Sequence, residues 1–511
     1  MKKIAHLLLG RFSIVAVSII LQFLWLVMVM YQFSYQFTYA NLAIRTIAII
    51  VVLVIVNRWT NPANKLSWTF IILLSPVLGL LLYMIFGRSS LTKKTQERMD
   101  SVNREVSACL YQTPEIKEQL EREDISVCRQ SKYINDWAGF PLYHNTSTKY
   151  YSCGEEMFPD MLADLEKAEH FIFLEYFIVD QGVMFDRIVE VLEQKSKEGV
   201  DVRLIYDDIG CINTLPPKYY KILQAKGIKC AAFNPFRPIM SVIMNNRDHR
   251  KIFVVDGKVG FTGGINLADE YINVASRFGY WKDTGIRLEG EAVWSMTVMF
   301  LEMWNYINHS SEDYKQFMPQ VYQKAPFEED GYVQPYGDTP LDHETVGENI
   351  YLNIINHAER YVYIFTPYLI IDNEMLVSLC NAAKRGVDVR IVTPGIPDKK
   401  MIFLLTQSHY EPLLKCGVKI YQYTPGFIHA KSFLCDDKIG TVGSINLDYR
   451  SLYLHFECGV FMYKTKALMQ LKEDCMDTFA ASEEMTLEFC RGQNVFIRIF
   501  QGMMRLFAPL L

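Results

Sequence analysis

An α/β body made of two copies of one lobe, each a mostly parallel sheet flanked by helices and preceded by N-terminal transmembrane helices, is the architecture the sequence predicts. Three observations lead there. The body repeats itself at an offset near 190 residues, each repeat alternates strand-like and helix-like patterns, and the first ninety residues are apolar and basic.

The repeat is explicit. Gly199-Val-Asp-Val-Arg203 recurs unchanged as Gly386-Val-Asp-Val-Arg390. An apolar run preceded by Ala-Glu lies before each copy, residues 171–179 and 361–371. Lys-Gly-Ile-Lys (226–229) then matches Cys-Gly-Val-Lys (416–419), and Phe233-Asn-Pro235 matches Tyr423-Thr-Pro425. Helical patterns over 185–197 and 373–384 sit between the matched strands, which is the order of a βαβ unit in a buried sheet. The offset falls to 180 further on, as if the first copy carried a loop near residues 236–246.

Charge is divided as sharply. Nine of the 52 Lys and Arg residues and none of the 57 acidic ones precede Glu97, so the remainder holds 43 basic against 57 acidic groups, a balance of −14. A basic apolar head on an acidic body suits attachment to an anionic membrane, and the acidic body argues against nucleic acid as partner. Candidate spans cover residues 12–31, 40–56 with Arg45 near one end, and 68–86, which contains Pro76 and Gly79. The Pro-Gly interruption allows the third to form a re-entrant hairpin, so two or three spans remain open. At the other end Val495, Phe496, Ile499, Phe500, Met503 and Phe507 recur at helical spacing with Arg498 and Arg505. That pattern fits an interfacial helix on lipid or a helix docked on its own domain.

The expected domains are a membrane anchor (1–90), a connecting segment (91–130), a first lobe (131–323), a Pro-, Gly- and acid-rich linker (324–345), a second lobe (346–485) and an amphipathic tail (486–511). The eleven cysteines form no C-x-x-C pair, and read as reduced thiols filling the core.

Each half then carries the same polar set. His249-Arg-Lys251, Asp256, Gly263-Gly264 and Asn266 match His429-Ala-Lys431, Asp436, Gly443-Ser444 and Asn446, both reading H-x-K-x4-D-x6-G-[GS]-x-N. On a strand His and Lys two apart share a face, while Arg250 or Ala430 points away. Two imidazoles, two ammonium groups and the amides of Asn266 and Asn446 suit an anionic phosphodiester. Gly264 and Ser444 stand where backbone must approach the ligand closely. One histidine can attack phosphorus while the other protonates the departing alkoxide, with no metal or other cofactor required. Asp256 and Asp436 fit turn or charge-tuning roles, and Asp283 and Glu457, each two residues before a Gly, fit as carboxylates that orient the imidazoles.

The paired motif resembles that of the phospholipase D superfamily, over roughly residues 149–463. Within it the chain is similar to the bacterial cardiolipin synthases. That narrower likeness rests on Asn61-Pro62, Trp68, Pro76-Val-Leu-Gly79, Tyr83 and Phe86-Gly-Arg88, on the stretch around His429, on Asn446-Leu-Asp-Tyr-Arg-Ser451, and on the C-terminal tail. The resemblance implies His249, Lys251, Asp256, His429, Lys431 and Asp436 as the catalytic set, with His249 favoured as the nucleophile. It implies phosphatidyl transfer between two phosphatidylglycerol molecules, giving cardiolipin and glycerol. It also places the protein in a bacterial cell membrane as a multi-pass protein, with the body at the cytoplasmic face. A membrane-bound hydrolase, transfer to another alcohol, and an inactive scaffold are the competing readings. The sequence gives no oligomeric state.

Overall fold

The structure is a computed structural model that describes residues 38–87, 109–235, 246–323, 326–342 and 344–510, together with Trp25, Met28 and Val106. The candidate span 12–31 and the loop expected near 236–246 lie outside the described residues, apart from Trp25, Met28 and Asn246. The chain divides into two compact units. One holds the N-terminal helices with the last residues from Met503 onward, and the other holds both halves of the repeat.

In the first unit α1 (Thr38–Val56) is predominantly apolar, with Arg45 near one end, and its 18-residue stretch Tyr39–Val56 is long and apolar enough to cross a bilayer. Residues 68–86 do not form one continuous helix. Asn61 caps α2 (Pro62–Leu74) by accepting from Ala63 N at 2.9 Å, the helix stops at Ser75, and α3 (Pro76–Phe86) starts afresh. The cause is Pro76, which has no N–H to continue the helix. The two helices meet tightly at Gly79, where a Cβ would stand 2.5 Å from Ile72 Cα, and Trp68 packs edge-on to Tyr83 at 5.2 Å. At 13 and 11 residues each is about 20 Å long or less, short of a hydrocarbon core of about 30 Å. Ser67 Oγ donates to the Leu506 carbonyl at 2.6 Å, fastening the C-terminal residues to α2.

In the second unit the first half forms strands β1 (Thr146–Tyr151), β2 (Phe171–Tyr176), β3 (Asp201–Asp207), β4 (Lys229–Phe233), β5 (Arg247–Asp248), β6 (Lys251–Val255), β7 (Val259–Gly263), β8 (Tyr280–Lys282) and β9 (Gly285–Gly290). The second half forms β10 (Tyr332–Asp338), β11 (Tyr361–Phe365), β12 (Asp388–Pro394), β13 (Lys419–Tyr423), β14 (Gly426–Ile428), β15 (Ser432–Cys435), β16 (Ile439–Gly443), β17 (His455–Tyr463) and β18 (Ser482–Glu484). The first sheet runs β1-β9-β7-β6-β2-β3-β4 and the second β10-β17-β16-β15-β11-β12-β13-β18. Helices Val183–Lys197 and Asn373–Lys384 join β2 to β3 and β11 to β12. The central strands are buried on both faces, which is why they read as continuous apolar runs.

Three expectations need correction. The sheets are mixed rather than mostly parallel: within each half β2-β3-β4 and β11-β12-β13 pair in parallel, whereas the motif strands β6 and β15 run antiparallel to β2 and β11. A tight turn after each motif strand then adds a further antiparallel partner, β7 beside β6 and β16 beside β15. Lys258 N bonds Val255 O and Lys438 N bonds Cys435 O, both at 3.0 Å, with Asp256-Gly257 and Asp436-Asp437 at positive φ, and so the chain folds straight back. The expected linker 324–345 contains β10, an edge strand paired to β17 along its whole length. The segment 91–130 is likewise not a bare connection, since helix Pro114–Glu123 buries Leu120 and helix Ile125–Tyr133 buries Val127.

The halves also exchange short strands. β5 of the first half pairs in parallel with β17 of the second, and β14 of the second pairs in parallel with β8 of the first. These two bridges lie immediately before His249 and His429 in the sequence.

Candidate active site

Each bridge delivers a histidine to a carboxylate of the other half. His249 N donates to Phe456 O at 2.9 Å, and His429 N to Lys282 O at 2.7 Å, so each motif backbone is fixed to the residue just before an acid. As a result His249 Nδ1 stands 2.9 Å from Glu457 Oε1, and His429 Nδ1 stands 2.6 Å from Asp283 Oδ2. Both acids are fully buried and both imidazoles are 7% exposed.

Burial holds both imidazoles neutral. It pulls His249 down to about 3 and His429 down to about 4, the nearby lysine charges adding to the effect against the opposing acids. Burial alone would raise the acids, yet the facing imidazoles hold Glu457 and Asp283 below their usual range, with Lys431 contributing at Asp283. A neutral imidazole beside an ionised carboxylate donates through Nδ1 and leaves the Nε2 lone pair for chemistry.

Lys251 Nζ donates to the His249 carbonyl at 2.6 Å, and Lys431 Nζ donates to that of His429. Each is 1% exposed, and burial lowers Lys251 to about 8 and Lys431 to about 7. The Lys251 charge acts on both His429 and Lys431, so the two motifs form a single electrostatic site. Arg250 turns away, as the strand alternation predicts, into a buried ion pair with Glu175 at 2.7 Å.

The remaining motif residues lie elsewhere. Asp256 and Asp436, in the sequence-predicted catalytic set, do not reach the histidines. The Asp256 carboxylate accepts from the backbone N–H groups of Glu169, His170 and Phe171 at 2.8–2.9 Å, and Asp436 accepts from those of Glu359, Arg360 and Tyr361 at 2.7–2.9 Å. Each therefore ties its turn to the start of the central strand. Gly264 lies behind Asp283, where a Cβ would meet Oδ1 at 2.0 Å, and Ser444 Oγ donates to Glu457 Oε2. Both serve the acids rather than facing a ligand. The Asn266 amide is engaged within the protein, Oδ1 accepting from Ile178 N at 3.0 Å and Nδ2 donating to Tyr271 Oη at 2.7 Å. Asn446 differs: its buried Oδ1 has no hydrogen-bond partner among the described residues.

Sequence reading missed His455. It opens β17, is 9% exposed, and its ring centroid lies 5.6 Å from that of His249. The signal was present, since His455 sits two residues before Glu457 on one strand and so shares its face. His249, His455 and Glu457 each offer a ligand atom within 4.8 Å of one another, the one such group among the described residues. The Lys251 ammonium, whose charge acts on His249, disfavours a cation there.

Comparison with known proteins fits this geometry. A family described as "Cardiolipin synthase, PLD-like domain" matches residues 161–276 and 351–477, one match per half, and "Phospholipase_D-nuclease N-terminal" matches 46–88. Cardiolipin synthase 1 of Bacillus cereus is 34% identical, with all of both chains covered, and a cardiolipin synthase of Halalkalibacterium halodurans is 32% identical over 92% of this chain and 93% of its own. An uncharacterized protein of Streptococcus mutans is 45% identical over 90% of this chain and 99% of its own. Among solved structures, phosphatidylserine synthase of Haemophilus influenzae shares the fold with a TM-score of 0.53 at 14% identity, covering 75% of this chain and 97% of its own. Fold and paired site together define a two-motif phospholipase D-like enzyme. Within that class the chain belongs to the cardiolipin synthase family.

Proposed function

We propose that the protein transfers a phosphatidyl group from one phosphatidylglycerol to the terminal hydroxyl of another, through a phosphohistidine intermediate. The crossed His–acid pairing carries this reading, because it gives two equivalent, pre-oriented imidazoles in one buried cationic site.

In the first half-reaction the Nε2 lone pair of one imidazole attacks phosphorus, and the P–O bond to the glycerol headgroup breaks. The opposing histidine, protonated as the anionic substrate enters, gives its proton to the departing oxygen, and glycerol leaves. That same histidine then accepts the proton of the incoming terminal hydroxyl as its oxygen attacks phosphorus. The P–N bond breaks and cardiolipin is released. Lys251 and Lys431 neutralise the nonbridging oxygens, which asks for no metal. Asp283 and Glu457 keep each imidazole in the reactive tautomer and stabilise its charged form.

A membrane setting fits the lipid substrates. We assign α1 as a transmembrane helix, α2 and α3 as a re-entrant hairpin, and helix Val495–Phe507 as an interfacial helix. Its exposed Val495, Phe496, Ile499 and Met503 would face lipid beside Arg498 and Arg505. The basic groups flanking these segments favour the cytoplasmic face for the body.

Incubating the purified full-length protein with phosphatidylglycerol vesicles tests the reading. Cardiolipin and glycerol in equal amounts are expected. Phosphatidic acid as the only phospholipid product would mean that water is the acceptor and would overturn the transfer.

A further inference from the structure

The exchanged strands are equivalent under the internal repeat, yet they carry opposite chemistry. At the His249 bridge the register sets His455 against Arg247, and at the His429 bridge it sets Trp281 against Phe427. His455 and Trp281 occupy the same place, each two residues before the acid that orients a histidine. Trp281 packs at a tilt against Phe427 (4.8 Å), Tyr271 (4.9 Å) and His429 (5.4 Å), making one wall of the site aromatic. The wall beside His249 has an imidazole there instead.

That imidazole is built for a partner it lacks. His455 is nine-tenths buried, and neither ring nitrogen has a hydrogen-bond partner among the described residues. Its Nδ1 lies 3.8 Å from Glu457 Oε1, beyond hydrogen-bond length, because that oxygen is committed to His249. A buried polar group left unpaired is destabilising, so an unpaired imidazole beside the reacting one points to a ligand that satisfies it. Trp281 Nε1 is also without a partner among the described residues, but an indole only donates, whereas an imidazole ring can both donate and accept, as a hydroxyl does.

We propose that His249 is the imidazole that serves the glycerol oxygen as acid and base, with His429 as the nucleophile, and that His455 binds the non-reacting middle hydroxyl of that headgroup and so selects lipids whose headgroup carries a second hydroxyl. This rests on the phosphatidyl-transfer reading. In a phosphatidylglycerol headgroup one oxygen is esterified and the terminal hydroxyl reacts, which leaves the middle hydroxyl to be matched. His455 is a specificity-determining contact, distinct from the two imidazoles that handle phosphorus.

The test compares phosphatidylglycerol with phosphatidyl-1,3-propanediol, which keeps the terminal hydroxyl and lacks the middle one. Wild-type protein is expected to prefer phosphatidylglycerol about tenfold in kcat/KM, mostly through KM, the size of one buried hydrogen bond. His455→Phe, which copies the aromatic wall, is expected to treat both lipids alike, and His455→Asn to restore part of the preference. Because the ratio is taken within one enzyme, partial unfolding of a variant lowers both rates together and leaves it intact. Equal use of both lipids by the wild type, or a tenfold preference persisting in His455→Phe, would overturn the proposal. Should the wild type release phosphatidic acid instead of cardiolipin, the transfer reading fails while the same ratio, read on hydrolysis, still decides the role of His455. Activity on neither lipid would overturn both.

Discussion

Glu457 Oε1 lies 2.9 Å from His249 Nδ1, although Glu457 belongs to the second copy of the repeat and His249 to the first. Asp283 repays the exchange at His429, at 2.6 Å. Neither half holds a complete dyad, so the site exists only when both halves are folded together. The acids should therefore matter for rate rather than for affinity. Glu457→Gln and Asp283→Asn keep the shape and remove the charge. Each is expected to lower kcat by about 10³–10⁴ with KM little changed, as loss of a histidine-orienting carboxylate does elsewhere. Steady-state kinetics on phosphatidylglycerol checks this, and a KM effect with kcat intact would count against it.

The motif aspartates should behave in the opposite way. Asp256 and Asp436 each accept three backbone N–H groups from the start of a central strand, out of reach of the histidines. An asparagine amide cannot accept as many bonds at both oxygen positions. Asp256→Asn and Asp436→Asn are each expected to cost about 2 kcal/mol of stability. A lower Tm measured by thermal unfolding, with near-normal kcat per folded molecule, is the expected result.

Activity should fall in mild alkali. Burial lowers Lys431 to about 7 and Lys251 to about 8, and each neutralises phosphate only while charged, that is, below its own value. As pH rises through 7 to 8 the charges are lost, so kcat/KM, which reports the free enzyme, should decline over that window. Lys431→Arg, whose charge does not titrate there, should move the decline to higher pH if the guanidinium is accommodated. A pH profile of kcat/KM for both proteins checks the sign.

Much of this site was legible in the sequence, for physical reasons that also mark where reading stops. His249 and Lys251 two apart on a strand must share a face, and a second copy at a matching place announces a common site. The hairpin between β6 and β7 was legible in Asp256-Gly257 between apolar runs, but the antiparallel pairing of β6 with β2 was not, since a turn fixes only the strand that follows it. The crossing of Glu457 to His249 was not, since it depends on β5 and β14 pairing into the opposite half, a tertiary exchange that leaves no local mark. Asp256 lay hidden for a related reason: the backbone groups it serves are more than eighty residues away in the chain. His455 was overlooked because only one half has it. The repeat directed attention to what the halves share, whereas the difference between them sits at Trp281 and His455.

The central claim is that one imidazole from each half acts on a single phosphorus atom. Quenching the purified protein in denaturant during turnover of phosphorus-labelled phosphatidylglycerol tests it most directly. The account predicts an acid-labile phosphatidyl adduct on one of His249 and His429, lost when that residue is alanine, with cardiolipin formation abolished in either single variant. An adduct on any other residue, or near-normal cardiolipin formation by His249→Ala or His429→Ala, would contradict it.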